Sequence, residues 1–133
     1  MPVPLPDDVQ ALLKQTAFCH IATVMPDGSP QVSVTWVDVD TDGTHILVNS
    51  VAGYQKVRNL ERDPRVSLDI VGPDHPGSVV NVRGRVVEMT TEGAWDHINA
   101  LAQRYTGGPY AYGPPDQVRV ILKIAPGKVQ RFG

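Results

Sequence analysis

Apolar and polar residues alternate with period two across residues 31–39, the pattern of a strand with one face buried. Before it, residues 18–24 form an apolar, β-branched run that reads as a buried strand. Pro26-Asp27-Gly28-Ser29-Pro30 between the two is a strong turn signal, so they are expected to pair as a hairpin. Asp40-Thr41-Asp42-Gly43 predicts a second turn into a strand over 45–50, where Ile46 and Val48 share a face. Further strands are predicted over 65–71, 78–89 and 117–124, the last turning Val118, Val120, Leu122 and Ile124 to one side. Gly84 within the long strand marks a bulge or a close backbone approach.

Three segments change period. Val9, Leu12 and Leu13 fall at helical spacing behind Asp7-Asp8, predicting a short helix over 7–15. Tyr54, Val57 and Leu60 recur between Gly53 and Asp63-Pro64, a short helix stopped by proline. Trp95, Ile98, Leu101, Ala102 and Tyr105 form one apolar helical stripe that ends near Thr106-Gly107-Gly108-Pro109. The expectation is a mainly β fold with a few helices, a six-stranded, mostly antiparallel closed or split β-barrel, because closure removes exposed edges. No repeat or linker interrupts the chain, so residues 1–133 are read as one domain. The loop over 107–116, rich in proline, glycine and tyrosine, is long enough to suggest a functional or partner-packed segment.

Composition narrows the function classes. Apolar residues are 41% and charged residues 20% of the chain, which excludes global disorder. A formal net charge of −2 and the lack of a long basic run argue against nucleic acid as partner, while leaving room for one local anion site. Cys19 is the sole cysteine and lies in an apolar run, so it reads as a buried, inert thiol. The first residues lack the pattern of a signal peptide, and no apolar stretch approaches the roughly 20 residues of a membrane span, so the expected setting is cytoplasmic.

The chemistry concentrates after the third predicted strand. Within residues 56–65, Lys56, Arg58, Arg62 and Arg65 stand against Glu61 and Asp63, a local surplus of +2 in a net acidic chain. Gly53 opens the helix, whose first N–H groups and dipole attract an anion. Asn49 and Ser50 at the strand end add donors, Lys56 in the first turn reaches a phosphate held there, and Arg58 lies nearby. Lys56 is expected to be exposed when no ligand is bound. The same charges also describe a solvated amphipathic helix with local ion pairs. A second candidate is Gln31, Ser33 and Thr35 beside Trp36, polar groups along one strand face that suit the edge of a flat heteroaromatic ring. That pattern equally fits a solvent-facing strand. His20, His45, His75 and His97 have no metal-ligand spacing, and no phosphate loop, dinucleotide fingerprint or nucleophile elbow is present. Tyr105, Tyr110 and Tyr112 suit either the lining of a ligand or the packing of a dimer, and packing is the preferred reading.

The opening helix and the hairpin segment His20-Ile21-Ala22-Thr23-Val24-Met25-Pro26-Asp27-Gly28-Ser29-Pro30-Gln31-Val32-Ser33 resemble the pyridoxamine 5′-phosphate oxidase-like split barrels. The run Lys56-Val57-Arg58-Asn59-Leu60-Glu61-Arg62-Asp63-Pro64-Arg65-Val66-Ser67 is the more specific match, closest to the actinobacterial F420-dependent oxidoreductase branch. The resemblance covers nearly the whole chain. It implies a homodimer with two cofactor sites at the subunit interface. It places Lys56 and Asn59, with Arg58, at the cofactor phosphate and the strand from Gln31 to Trp36 along the ring. Relatives often carry a basic residue where this chain has Tyr54. The chain also ends at Phe132-Gly133, without the longer segment that holds substrate in authentic pyridoxamine phosphate oxidases, which argues against vitamin B6 oxidation. The implied reaction is hydride transfer from reduced deazaflavin F420 to an unsaturated small-molecule acceptor. FMN would use the same phosphate site, and so would a non-catalytic F420-binding or storage protein.

Overall fold

The structure, a computed structural model, describes residues 2–133. Its elements in chain order are α1 (Asp7–Leu13), β1 (Phe18–Val24), β2 (Pro30–Thr35), β3 (Asp38–Val39), β4 (Ile46–Val51), α2 (Gln55–Arg62), β5 (Arg65–Val71), β6 (Val79–Thr90), α3 (Ala94–Thr106) and β7 (Arg119–Phe132). The strands form one antiparallel sheet in the order β2-β1-β5-β6-β7-β4-β3.

That order dictates the shape. β2 and β3 are the two ends of the sheet, yet only Trp36 and Val37 separate them in sequence. Three residue steps from Thr35 to Asp38 reach at most about 11 Å. The sheet therefore curls until its two edges lie side by side, giving a barrel split along one seam. Its interior is filled by alternate side chains: Ile21 from β1, Ile46 and Val48 from β4, Leu68 and Ile70 from β5, Val82 from β6, and Leu122 and Ile124 from β7 are all fully buried. Val9 and Leu13 of α1 join this core at one end. Cys19 is buried with it, and burial pushes its thiol pKa up to about 12, so the reading of an inert cysteine holds.

Two elements differ from the pattern-based expectation. The strand predicted over 31–39 is divided, which makes seven strands among the described residues instead of six. Its backbone is diverted at Val37, whose N–H donates to the Tyr105 hydroxyl (3.2 Å) and whose carbonyl accepts from Arg104 (3.0 Å). Side chains of α3 thus occupy the hydrogen bonds that a continuous strand would use. The last strand runs on past 124 to Phe132 because Pro126 sits at a break in register. Gly84 pairs with Pro126 and Arg83 with Lys128, so Gly127 is the extra residue of a bulge. Proline lacks the N–H that a regular ladder needs, and the bulge absorbs that loss.

Candidate active site

The seam holds a cavity of about 320 Å³. Val34 and Thr35 at the end of β2 and Trp36 form one wall, and Asn49 and Ser50 of β4 face them. Tyr54 and Lys56 at the start of α2, Ile98 and Leu101 of α3, and Arg119 at the start of β7 close the rest. Phe18, Tyr110 and Tyr112 complete the lining.

Its electrostatics are one-sided. Lys56 and Arg119 both line the cavity, and among the described residues no aspartate or glutamate does. Arg119 is only 6% exposed, yet its partners are all neutral. Its Nε donates to Asn49 Oδ1 (2.9 Å), and Nη1 donates to the Tyr110 hydroxyl and to Gln117 Oε1 (both 3.1 Å). Its guanidinium also lies 4.8 Å from the Tyr110 ring centroid, a cation–π contact. A buried charge without a counterion is expensive, so such a site favours an anion that enters from solvent. Burial lowers the Lys56 pKa, and Arg119 lowers it further. Lys56 is half-buried instead of exposed, a correction to the expectation above.

Two further features suit an anionic ligand. No side chain caps the N-terminus of α2, which starts one residue before Lys56. The Ser50 hydroxyl is buried and has no hydrogen-bond partner among the described residues, and Ser50 lines the cavity. Such an orphan group is normally satisfied by a ligand or water. Aromatic residues supply the apolar side. Trp36 stacks on Tyr105 (centroids 5.0 Å apart, planes at 12°), and Tyr110 and Tyr112 meet Trp36 edge-on at 6.2 and 6.3 Å. Donors, two cations and an aromatic wall in one cavity fit a flat ring bearing a phosphate.

Of the residues singled out from sequence, Thr35, Trp36, Asn49, Ser50 and Lys56 are brought together here. Gln31, Ser33, Arg58 and Asn59 are not among the lining residues. Gln31 is engaged by Thr23, whose hydroxyl donates to Gln31 Oε1 (3.3 Å). The Ser33 hydroxyl is buried and unpartnered, on the half-buried face of β2. Arg58 is exposed and donates to Gln55 Oε1 (2.6 Å). Asn59 is fully buried, donating to the Thr23 hydroxyl (3.0 Å) and accepting from Gln55 Nε2 (2.8 Å). It locks α2 onto β1 and has nothing left to offer a phosphate. Sequence reasoning missed Arg119, whose one signal is an arginine opening a run of β-branched and aliphatic residues. Tyr110 and Tyr112, for which the sequence left ligand lining and packing open and packing was preferred, both line the cavity.

Comparison with known proteins gives a consistent picture. The family profile described as pyridoxamine 5′-phosphate oxidase matches residues 5–132. A solved structure of an F420 reductase is 31% identical with a TM-score of 0.81, covering 95% of this chain and 98% of that one. A conserved hypothetical protein from Mycobacterium tuberculosis is 25% identical (TM-score 0.71, covering 98% of this chain and 86% of its own). General Stress Protein 26 from Bacillus anthracis shares the fold at 16% identity (TM-score 0.68, covering 92% and 88%). The comparison with curated proteins returns no match.

Proposed function

Because the chain belongs to the pyridoxamine 5′-phosphate oxidase family, whose split barrels bear flavin-type cofactors, we propose that it is an F420H2-dependent reductase acting on an unsaturated small molecule. The observation that carries this reading is the seam cavity, where Lys56 and the buried Arg119 face a ligand space free of carboxylates. Its likeness to an F420 reductase at 31% identity favours the deazaflavin over FMN.

In this reading Lys56, the uncapped start of α2 and the Ser50 hydroxyl hold the cofactor phosphate, with Arg119 supplying the second positive charge. Thr35 and Trp36 lie along the ring, and Tyr110 and Tyr112 exclude water from its edge. When bound, the deazaflavin supplies the hydride; this chain's residues bind it, orient it and keep the site dry. Val32 and Val34 are exposed on the edge strand β2, Val34 at the border of the cavity, and we read that face as the contact with a second copy, which would set the cofactor sites at a subunit interface.

The test is a side-by-side titration with F420 and FMN. The deazaflavin carries a carboxylate-bearing tail beyond its phosphate, for which Arg58 on the outer surface is a cation without an acidic partner among the described residues, whereas Arg62 donates to the Val24 carbonyl and Arg65 is paired with Asp63. F420 is expected to bind at least several-fold tighter at low ionic strength, with the gap narrowing as salt screens the tail. Equal or tighter FMN binding would overturn the choice of cofactor. Tight F420 binding with no oxidation of F420H2 across a panel of conjugated acceptors would point to a storage protein instead.

A further inference from the structure

A line of hydrogen bonds leaves the cavity and ends on a carboxylate at the far edge of the sheet. Arg119 Nε donates to Asn49 Oδ1 (2.9 Å), and Asn49 Nδ2 faces both the Ala94 carbonyl (2.8 Å) and His97 Nδ1 (3.1 Å). His97 Nε2 stands 3.1 Å from Asp38 Oδ2, and the other Asp38 oxygen accepts from Arg104 at 2.6 Å. Four elements are tied together: β7, β4, α3 and β3.

The polarity of this line is fixed at both ends. A guanidinium only donates, and an ionised carboxylate only accepts. Burial works to raise the Asp38 pKa, but hydrogen bonds from His97 and Arg104 outweigh it and hold the carboxyl below its usual range, so Asp38 stays ionised. Asn49 must then turn its oxygen to Arg119 and its NH2 to Ala94 and His97. It follows that His97 carries its proton on Nε2 and presents a lone pair at Nδ1. A second proton on His97 would set donor against donor at Asn49. Turning the amide over would satisfy His97 at the cost of two other contacts, because it would set its NH2 against Arg119 and its oxygen against the Ala94 carbonyl.

We infer that His97 is a positioning residue for the anion site, holding Arg119 through Asn49, and that it does so only when its ring is neutral. This rests on the reading of the cavity as an anion site. The charged groups facing His97 are Asp38 from β3, Arg104 on its own helix and, through Asn49, Arg119 from β7.

The experiment compares wild type, His97→Asn and His97→Leu, titrated from about pH 8 to pH 5.5, the range of imidazole ionisation. The probes are F420 and sulfate, both of which keep a constant anionic charge there at the group bound. Wild-type affinity for both should fall at least about threefold on acidification, as a hydrogen bond to a charged group weakens. His97→Leu should bind at least about fivefold more weakly than wild type at the alkaline end, the scale of one lost hydrogen bond. His97→Asn keeps an amide oxygen near the place of Nδ1 but cannot titrate. It should bind within about twofold of wild type at the alkaline end and show a flat profile. Nitrogen NMR of the wild type should find the His97 proton on Nε2. A flat wild-type profile, normal binding by His97→Leu, failure of His97→Asn to restore affinity, or a proton on Nδ1 would each overturn the inference. Sulfate binding with the expected profile but no F420 binding sinks only the cofactor reading. Normal F420 binding by both variants sinks only the role of His97. A wild type that takes neither probe overturns both.

Discussion

Burial draws the Lys56 pKa down and the neighbouring Arg119 draws it further, so the folded protein holds this ammonium at some expense to its own stability. Replacing it with methionine keeps the stem's packing and removes the charge. Lys56→Met should leave the melting temperature without ligand unchanged or slightly raised, while F420 affinity falls by about 1.5–3 kcal/mol, the scale of a hydrogen bond to a charged group. The sign of the pH effect follows from the lowered pKa. The unfolded chain binds this proton more tightly than the folded one, so ligand-free stability gains as pH rises from the folded-state pKa toward about 10.4, and Lys56→Met should lack that gain. Thermal melts across alkaline pH, paired with binding isotherms, check both halves; a marked loss of ligand-free stability would contradict the reading. Lys56, Asn49 and Ser50 were legible in sequence because a strand end, a glycine turn and a helix start lie within one short stretch. Arg58 lies outside the cavity lining because of helix phase, since two positions turn it about 200° away from Lys56. Arg119 was invisible because the register of β4 with β7, and nothing local, brings it beside Asn49.

Periodicity marked all three helices and most strands, and it failed where side chains or a bulge replaced ordinary ladder hydrogen bonds. The split between β2 and β3 is made by Arg104 and Tyr105, residues of a helix far along the chain, so no local pattern reveals it. The continuation of β7 beyond Ile124 is masked by Pro126-Gly127, which reads locally as a stop. Gly84, by contrast, signalled its role. A Cβ there would fall onto the Ala125 carbonyl oxygen across the bulge, and since that atom is backbone it has little room to yield. Gly84→Ala should therefore destabilise the protein by about 1–3 kcal/mol, as overpacking does. Chemical denaturation monitored by circular dichroism would measure it. An unchanged midpoint would mean that β6 and β7 part more easily than their pairing suggests.

The curled sheet leaves β2 as an edge, and the outward face of that edge is apolar. Val32 and Val34 are 57% and 60% exposed, whereas Gln31, Ser33 and Thr35 on the other face are half-buried. The alternation was visible in sequence, but which face would meet solvent was not, because that depends on how the barrel closes. An exposed apolar edge strand invites self-association, and the proposed homodimer would cover it. Val32→Asp, on the same exposed face but outside the cavity lining, should shift the protein toward monomer in sedimentation or light scattering at micromolar concentration, and should weaken F420 binding with it. A wild type that is monomeric under those conditions would remove the interface from the proposed site.

The seam itself is fastened from a distance. Arg104 donates to the carbonyls of Leu13 and Val37, and the Tyr105 hydroxyl donates to that of Ala17, spanning 91, 67 and 88 positions of the chain. None of these bonds can exist until α3 has been synthesised. During translation the first hairpin therefore emerges with its edge unfastened, and it stays so while most of the remaining polypeptide is being made. The valine-faced border of β2 is bare for that whole interval, before the helix that secures its neighbour has left the ribosome. If two newborn chains on one message met, they would do so in this condition, with the surface proposed for pairing open and the barrel not yet shut.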